Sequence, residues 1–171
     1  MAGVTAFSWY KTRPSAGPMV IGYPEAAAQS ATLKGDPVKL DTAGRVLLAV
    51  DTEGSSTPDR AGFFGFAAQD MSGTTDAIAR VLIPTPLDLF AVSASAAGAT
   101  RTVTRSDVGL RCSWIRSTVT DETTKSVLDT SDTTAAQLHF EIIDTLDAVG
   151  VVDGRYLARV SSVAWGIARA T

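Results

Sequence analysis

Cysteine and histidine are nearly missing from this sequence, which holds one of each, Cys112 and His139. A single cysteine cannot close a disulfide within the chain or build a cysteine-rich metal site. A single histidine cannot complete a metal site alone. Charge is also scarce. Asp, Glu, Lys and Arg make up 19% of the residues, and the net charge is −3. Lys and Arg form no run, so no phosphate-tracking surface and no nucleic-acid partner are expected. No apolar stretch approaches the roughly 18 residues that a membrane-spanning helix needs, so no membrane partner is expected. The first eight residues have no basic n-region and no long apolar h-region. The expectation is a chain made in the cytoplasm without a secretion signal.

Catalytic signatures are missing too. There is no Gly-x-Ser-x-Gly elbow and no phosphate-binding Gly-Lys-Ser/Thr loop. Asp129-x-Ser131-Asp132 offers oxygens but lacks the spacing and the closing Glu of a calcium loop. The acidic pairs Asp121/Glu122 and Asp144/Asp147 fall in turn-forming segments, where acids are expected anyway. These residues give no convergent set of groups, so the expectation is no enzyme, no metal and no cofactor.

What is present is a β pattern. The stretch from Gly62 to Ser93 holds three apolar runs separated by turn residues, and it carries Phe63, Phe64, Phe66 and Phe90 among the six phenylalanines of the chain. Aromatic rings bury far more area than the surrounding Ala and Thr, so the core should condense here. Ala79 to Ile83 reads as a strand because it is short and stops at Pro84. Val38 to Leu40, Val46 to Val50, Lys125 to Leu128, Gln137 to Ile143 and Tyr156 to Val163 read as further strands. Val108, Leu110, Cys112 and Trp114 alternate with polar or small residues, which puts Cys112 and Trp114 inside. In the same way Leu138, Phe140 and Ile142 point inward, with His139 and Glu141 outward. Asp51 to Arg60 and Ala94 to Thr100 read as loops, and Asp153-Gly154 as a hairpin turn.

The fold class expected is all-β: a single small β-barrel or β-sandwich of about eight to ten short strands. Its domain is expected at 35–171, preceded by an extended arm at 1–34. In the arm, large apolar residues are interrupted by Pro14, Gly17, Pro18, Gly22 and Pro24, which excludes a helix and a central strand. The alternative is an ordinary first pair of strands folded onto its own domain. Glu25 to Ala31 can form one or two helical turns after Pro24. If the arm docks on something, its anchors are Phe7, Trp9, Tyr10, Met19 and Tyr23, because buried aromatics carry most interface energy.

Two further readings attach to particular residues. Trp9 and Trp165 are candidates for stacking on sugars, as in a carbohydrate- or receptor-binding module of a virion tail or head fibre. Gly150-Val151-Val152-Asp153-Gly154-Arg155-Tyr156 resembles the uracil-pocket motif of trimeric dUTP pyrophosphatases. There the Asp orients a water and the aromatic stacks under deoxyribose. This chain departs from that motif with Ala158 where a Gly is usual, and it lacks the family's Arg-Ser-Ser motif and Gly-rich C-terminal arm.

The order of segments resembles the bacteriophage capsid decoration, or cement, proteins. The likeness is carried by Gly-Asp-Pro-Val-Lys-Leu at Gly35–Leu40, Gly-Phe-Phe-Gly-Phe-Ala-Ala-Gln-Asp at Gly62–Asp70, Asp-Val-Gly-Leu at Asp107–Leu110, and Leu-Asp-Thr-Ser-Asp-Thr at Leu128–Thr133 with the strand that follows. The resemblance implies a virion structural protein on the capsid exterior. It implies a small β-domain, usually a homotrimer, whose partner is the major capsid protein. It implies a clamp on neighbouring capsid subunits against the pressure of packaged DNA, with an N-terminal arm lying on the capsid or adding a strand to a neighbour.

Overall fold

The computed structural model describes residues 7–12, 18–49, 63–97, 99–117, 125–132 and 139–161. The strands are β1 Ser8–Thr12, β2 Met19–Pro24, β3 Pro37–Leu40, β4 Val46–Leu48, β5 Gly65–Ala67, β6 Ile78–Ile83, β7 Asp88–Ala96, β8 Ala99–Thr100, β9 Arg111–Ser117, β10 Lys125–Asp129, β11 Phe140–Thr145 and β12 Arg155–Val160. A 3-10 turn at Arg105–Asp107 is the only helical element among the described residues. The chain is all-β, as its turn-and-strand rhythm predicts.

Strand β7 organises the first sheet. Eight successive residues, Asp88 to Ser95, are buried, so this strand is covered on both faces. Its composition allows that, because Ala and Ser alternate with Leu, Phe and Val and leave room for neighbours. Its length lets different stretches pair with different partners. Residues 88–91 pair with β1, 90–93 with β12, 94–95 with β10, and 95–96 with β8. From β10 the ladder continues through β9 and β11 to β12, which returns to β7. Five strands, β7-β10-β9-β11-β12, thereby close a barrel. Closure removes the exposed edges that an open sheet of this size would present.

The second sheet has the order β2-β6-β5-β3-β4 and is antiparallel at every pairing. A single parallel bridge between Glu25 and Val46 brings the end of β2 to β4. In β6, Ala79 and Val81 are buried while Ile78 and Arg80 are exposed, the alternation of a strand with one wet face.

The barrel interior is filled by Phe90, Val92, Cys112, Trp114, Leu128, Phe140, Ile142, Tyr156, Ala158 and Val160. Phe63 and Phe66 reach into this cluster from the second sheet, and Phe7 from the residue before β1. Phe7 lies 4.8 Å from Phe66 and 4.6 Å from Phe140 between ring centroids. The condensation of aromatics expected around Phe63 to Phe90 is therefore present. A smaller cluster of Val38, Val46, Ala67, Met71, Ala79 and Val81 backs the second sheet.

Asp36 links the two sheets through polar contacts. Its buried carboxylate accepts from the Leu33 peptide N–H at 2.9 Å, from Ser126 Oγ at 2.7 Å and from an Arg116 guanidinium nitrogen at 3.2 Å. Ser126 and Arg116 belong to the barrel strands β10 and β9. A buried carboxylate is tolerable here because a cation and two further donors satisfy it.

Several expectations are corrected. Residues 8–12 and 19–24, read as parts of an extended arm within 1–34, are strands paired to β7 and β6. Pro18 precedes β2 and Pro24 ends it, so neither interrupts the β2–β6 ladder, and Pro14 lies outside the described residues. Glu25 to Ala31 forms turns rather than helix, with Ala28 at φ 59°. Ala94 to Thr100 is not a loop, since β7 runs to Ala96 and turns straight into β8. Val108 and Leu110 precede β9 and are exposed, because the 3-10 turn breaks the alternation before Arg111. His139 is buried, with its ring 5.0 Å from that of Trp114, although alternation placed it outward. The strand begins only at Phe140, so the period-2 count does not extend back to His139. The loop Asp51 to Arg60, Leu138 and Trp165 lie outside the described residues.

Candidate functional site

The five anchor candidates divide. Phe7 is 4% exposed and belongs to the barrel core, so it is not available to a partner. Tyr23 packs on the smaller cluster and meets Phe64 edge to face at 5.0 Å. Phe7 is thereby corrected from a partner contact to a packing residue, whereas Tyr23 is half-buried. Trp9, Tyr10 and Met19 remain exposed, at 45%, 46% and 60%.

Pairing places two of them, Trp9 and Met19, on strands that flank one turn. Trp9 stands opposite Phe90 and Thr12 opposite Asp88, at the start of β7. Met19 stands opposite Ile83, at the end of β6. Strands β6 and β7 are joined by residues 84–87, so β1 and β2 flank the same turn. Leu87 in that turn is exposed as well, as is Val20 beside Met19. Tyr10 falls at the irregularity in the β1–β7 register between Trp9 and Lys11. Such a bulge re-aims a side chain and disrupts the edge ladder. Among the described residues β1 has β7 as its one neighbour, so it is an edge strand.

Asp88 fastens this corner. It is fully buried, and one oxygen accepts from the Thr85 peptide N–H at 2.6 Å. The other accepts from Trp9 Nε1–H at 3.3 Å. The sequence pattern gave no warning of this role, since an acid after Pro-Leu reads as an ordinary turn residue.

The segment that resembles a uracil pocket sits at the opposite end of β7. Tyr156 is 1% exposed with its ring in the barrel core. Its hydroxyl donates to Asp107 Oδ2 at 2.6 Å and accepts from the Thr104 peptide N–H at 3.0 Å. No face of that ring is open to a deoxyribose. Asp153 is buried in a left-handed turn at φ 54°. Its peptide N–H donates to the Arg101 carbonyl, and its own carbonyl accepts from Ser93 Oγ at 2.9 Å. Asp107 also forms a two-point ion pair with Arg101, which leaves it fully partnered. Burial, and then the bond to Asp107, pushes the Tyr156 hydroxyl up to about 12. Hydrogen bonding to Asp107 also raises Arg101 above its ordinary value. Burial drives the Cys112 thiol far above the usual range, so it is an inert core group rather than a nucleophile.

No group of three His, Cys, Asp or Glu placed to hold a metal occurs among the described residues. Exposed Trp9, Met19 and Leu87 offer apolar contact area beside the β6–β7 turn. Comparison with protein-family models, with curated proteins and with solved structures yields no match to this chain.

Proposed function

We propose that this chain acts by adhesion, as a virion structural protein that binds the outside of a phage capsid and bridges neighbouring subunits of the major capsid protein. The observation that carries the adhesive part is the exposure of Trp9 and Met19 on β1 and β2, the strands that flank the β6–β7 turn with its exposed Leu87. Exposed aromatic and Met side chains are enriched at sites that another protein covers. The capsid as partner is drawn from the resemblance carried by Gly35–Leu40, Gly62–Asp70, Asp107–Leu110 and Leu128–Thr133. Association into a homotrimer belongs to the same reading, and repeated contacts of three copies multiply a weak individual one.

The fold changes how this is tested. Deleting residues 1–24 removes β1, β2 and Phe7, so it would destroy the body rather than isolate an arm. The informative variant is Trp9→Ser combined with Met19→Ser. Capsids prepared without this chain are mixed with it and sedimented. The wild type co-sediments, and the double variant stays in the supernatant while keeping its circular dichroism spectrum. Equal sedimentation of both would refute the corner as the contact. Sugar binding by Trp9 is the second reading, because its indole is half exposed, and a glycan array probed with the same pair of proteins distinguishes the two.

A further inference from the structure

The second sheet returns on itself by a seam, not by a ladder. Between β2 and β4 stands one bridge, Glu25 to Val46, beside one bond from the Ala26 N–H to the Val46 carbonyl at 2.9 Å. Two residues farther along β4, a side chain takes the place of a neighbouring strand. The Leu48 N–H donates to Gln29 Oε1 at 2.8 Å. The bridging residue is fastened by its own side chain. The Glu25 carboxylate is 1% exposed and accepts from the Ser72 N–H at 3.1 Å, from Ser72 Oγ at 2.9 Å and from the Gly73 N–H at 2.8 Å. None of these donors carries a charge, so the buried carboxylate depends on all three staying in place.

The backbone around this carboxylate is strained. Four described residues other than glycine have positive φ, and two of them stand here, Ala28 at 59° and Asp76 at 63°. Each is tied across the seam. The Ala28 N–H donates to the Gly73 carbonyl at 3.1 Å, and the Asp76 N–H to the Glu25 carbonyl at 3.0 Å. Gly73 is left-handed as well, at 77°, and a Cβ there would lie 2.8 Å from the Ser30 nitrogen. A left-handed alanine persists only where its surroundings over-determine it. Here those surroundings are the carboxylate and its donors.

We infer that residues 25–33 and 71–77 form a strained clasp, fastened by Glu25, which opens the β2–β4 seam while the first barrel stays shut. This goes beyond the adhesive reading and does not depend on it. Local opening falls where few buried apolar contacts resist it. The second sheet is backed by six buried residues without an aromatic among them, against sixteen in the barrel cluster. Opening separates β2 from β4 and frees the Val46 carbonyl and the Leu48 N–H. The sheet then changes from closed to open, with two edges.

The test is native-state hydrogen exchange of the full chain, followed amide by amide by NMR. Ala26, Leu48 and Gly73 report the clasp. Gly109 and Ile142 report the first barrel, where their N–H groups donate to the Ile142 and Leu110 carbonyls at 2.8 and 2.9 Å. Rates are taken relative to unstructured peptide. In the wild type the three clasp amides should exchange together, at least about tenfold faster than the two barrel amides. Glu25→Gln keeps the shape but sets an NH2 against the donors of Ser72 and Gly73. It should speed the clasp amides about tenfold further and leave the barrel amides within about twofold. Ala28→Gly relieves the left-handed backbone, so it should slow clasp exchange by about threefold or more. Clasp amides as protected as barrel amides in the wild type overturn the separate opening. An equal rise in both sets in Glu25→Gln, or no rise, overturns Glu25 as the fastening. Ala28→Gly keeps the inference falsifiable even where Glu25→Gln fails to fold. Clasp exchange in Ala28→Gly as fast as in the wild type, or faster, overturns the strain.

Discussion

Replacing Phe7 with alanine tests whether the first residues of the described chain belong to the core or to a partner. Phe7 is 4% exposed and touches the rings of Phe66 and Phe140, one from each sheet. Alanine leaves a ring-sized void between two sheets that already pack against each other, so little collapse can fill it. Buried Phe→Ala changes cost about 3–5 kcal/mol. A domain of ordinary stability has about 5–15 kcal/mol in total, so this is a large fraction. With a urea dependence of roughly 2 kcal/mol per molar, the unfolding midpoint should fall by on the order of 2 M. The assay is equilibrium urea unfolding followed by fluorescence and circular dichroism, with Met19→Ala as the exposed control. The control should stay within about 0.5 kcal/mol of the wild type. A Phe7→Ala loss no larger than that of Met19→Ala would refute the placement of Phe7 between the sheets and restore it as a partner contact.

Other outcomes follow from the polar links and the thiol. Asp36→Ala should cost about 2–3 kcal/mol, because it takes the carboxylate from Arg116, which keeps only the Ala31 carbonyl, and leaves Ser126 Oγ without its acceptor; urea unfolding measures it. Tyr156→Phe should cost about 1–3 kcal/mol, since Asp107 loses a donor and the Thr104 N–H loses its acceptor. Tyr156 also sets an alkaline limit. Its folded value is raised to about 12 from 10.0, so the native state holds the proton longer than the unfolded chain. Stability from this group is full below pH 10.0, the unfolded value, and falls as pH rises toward about 12. An ultraviolet titration of the three tyrosines should show one ionising late, and Tyr156→Phe should abolish that step. Cys112 should resist a thiol reagent in the folded protein and react at the rate of unfolding, whereas rapid labelling of the native state would contradict its burial.

The sequence made some of this legible and hid the rest for identifiable reasons. Short apolar runs bounded by Gly, Pro, Asp and Thr located β3, β5, β6, β7 and β10, because each is a compact strand between turn formers. Placement of Trp114 and Cys112 inside followed from simple alternation along β9. The same alternation failed at Val108, Leu110 and His139, since period-2 reasoning cannot see where a strand begins. The N-terminal stretch misled in another way. Proline and glycine between aromatics look like a loose tail, yet Pro24 stands at a strand end and Gly22 inside β2 faces Arg80. Gly22 also leaves space that Ile78 fills, for a Cβ there would lie 2.8 Å from that side chain. Phe7, Trp9 and Tyr10 read alike as letters, but tertiary packing sends the first inward and the other two outward. The roles of Asp36 and Asp88 were not readable, because each depends on donors far along the chain.

The shared edges of β7 bear on how the protein is made. Apart from the adjoining β8 at 99–100, its mates lie at residues 8–12 on one side of the sequence and at 125–129 and 155–160 on the other. On the ribosome, the central strand emerges with only its earliest mate available. The ring cannot shut until the last of its mates has been translated. Contacts so distant in sequence slow folding to a range of about milliseconds to seconds. Until then a hydrophobic strand waits half-covered, which makes nascent chains halted before residue 155 the species to watch for aggregation.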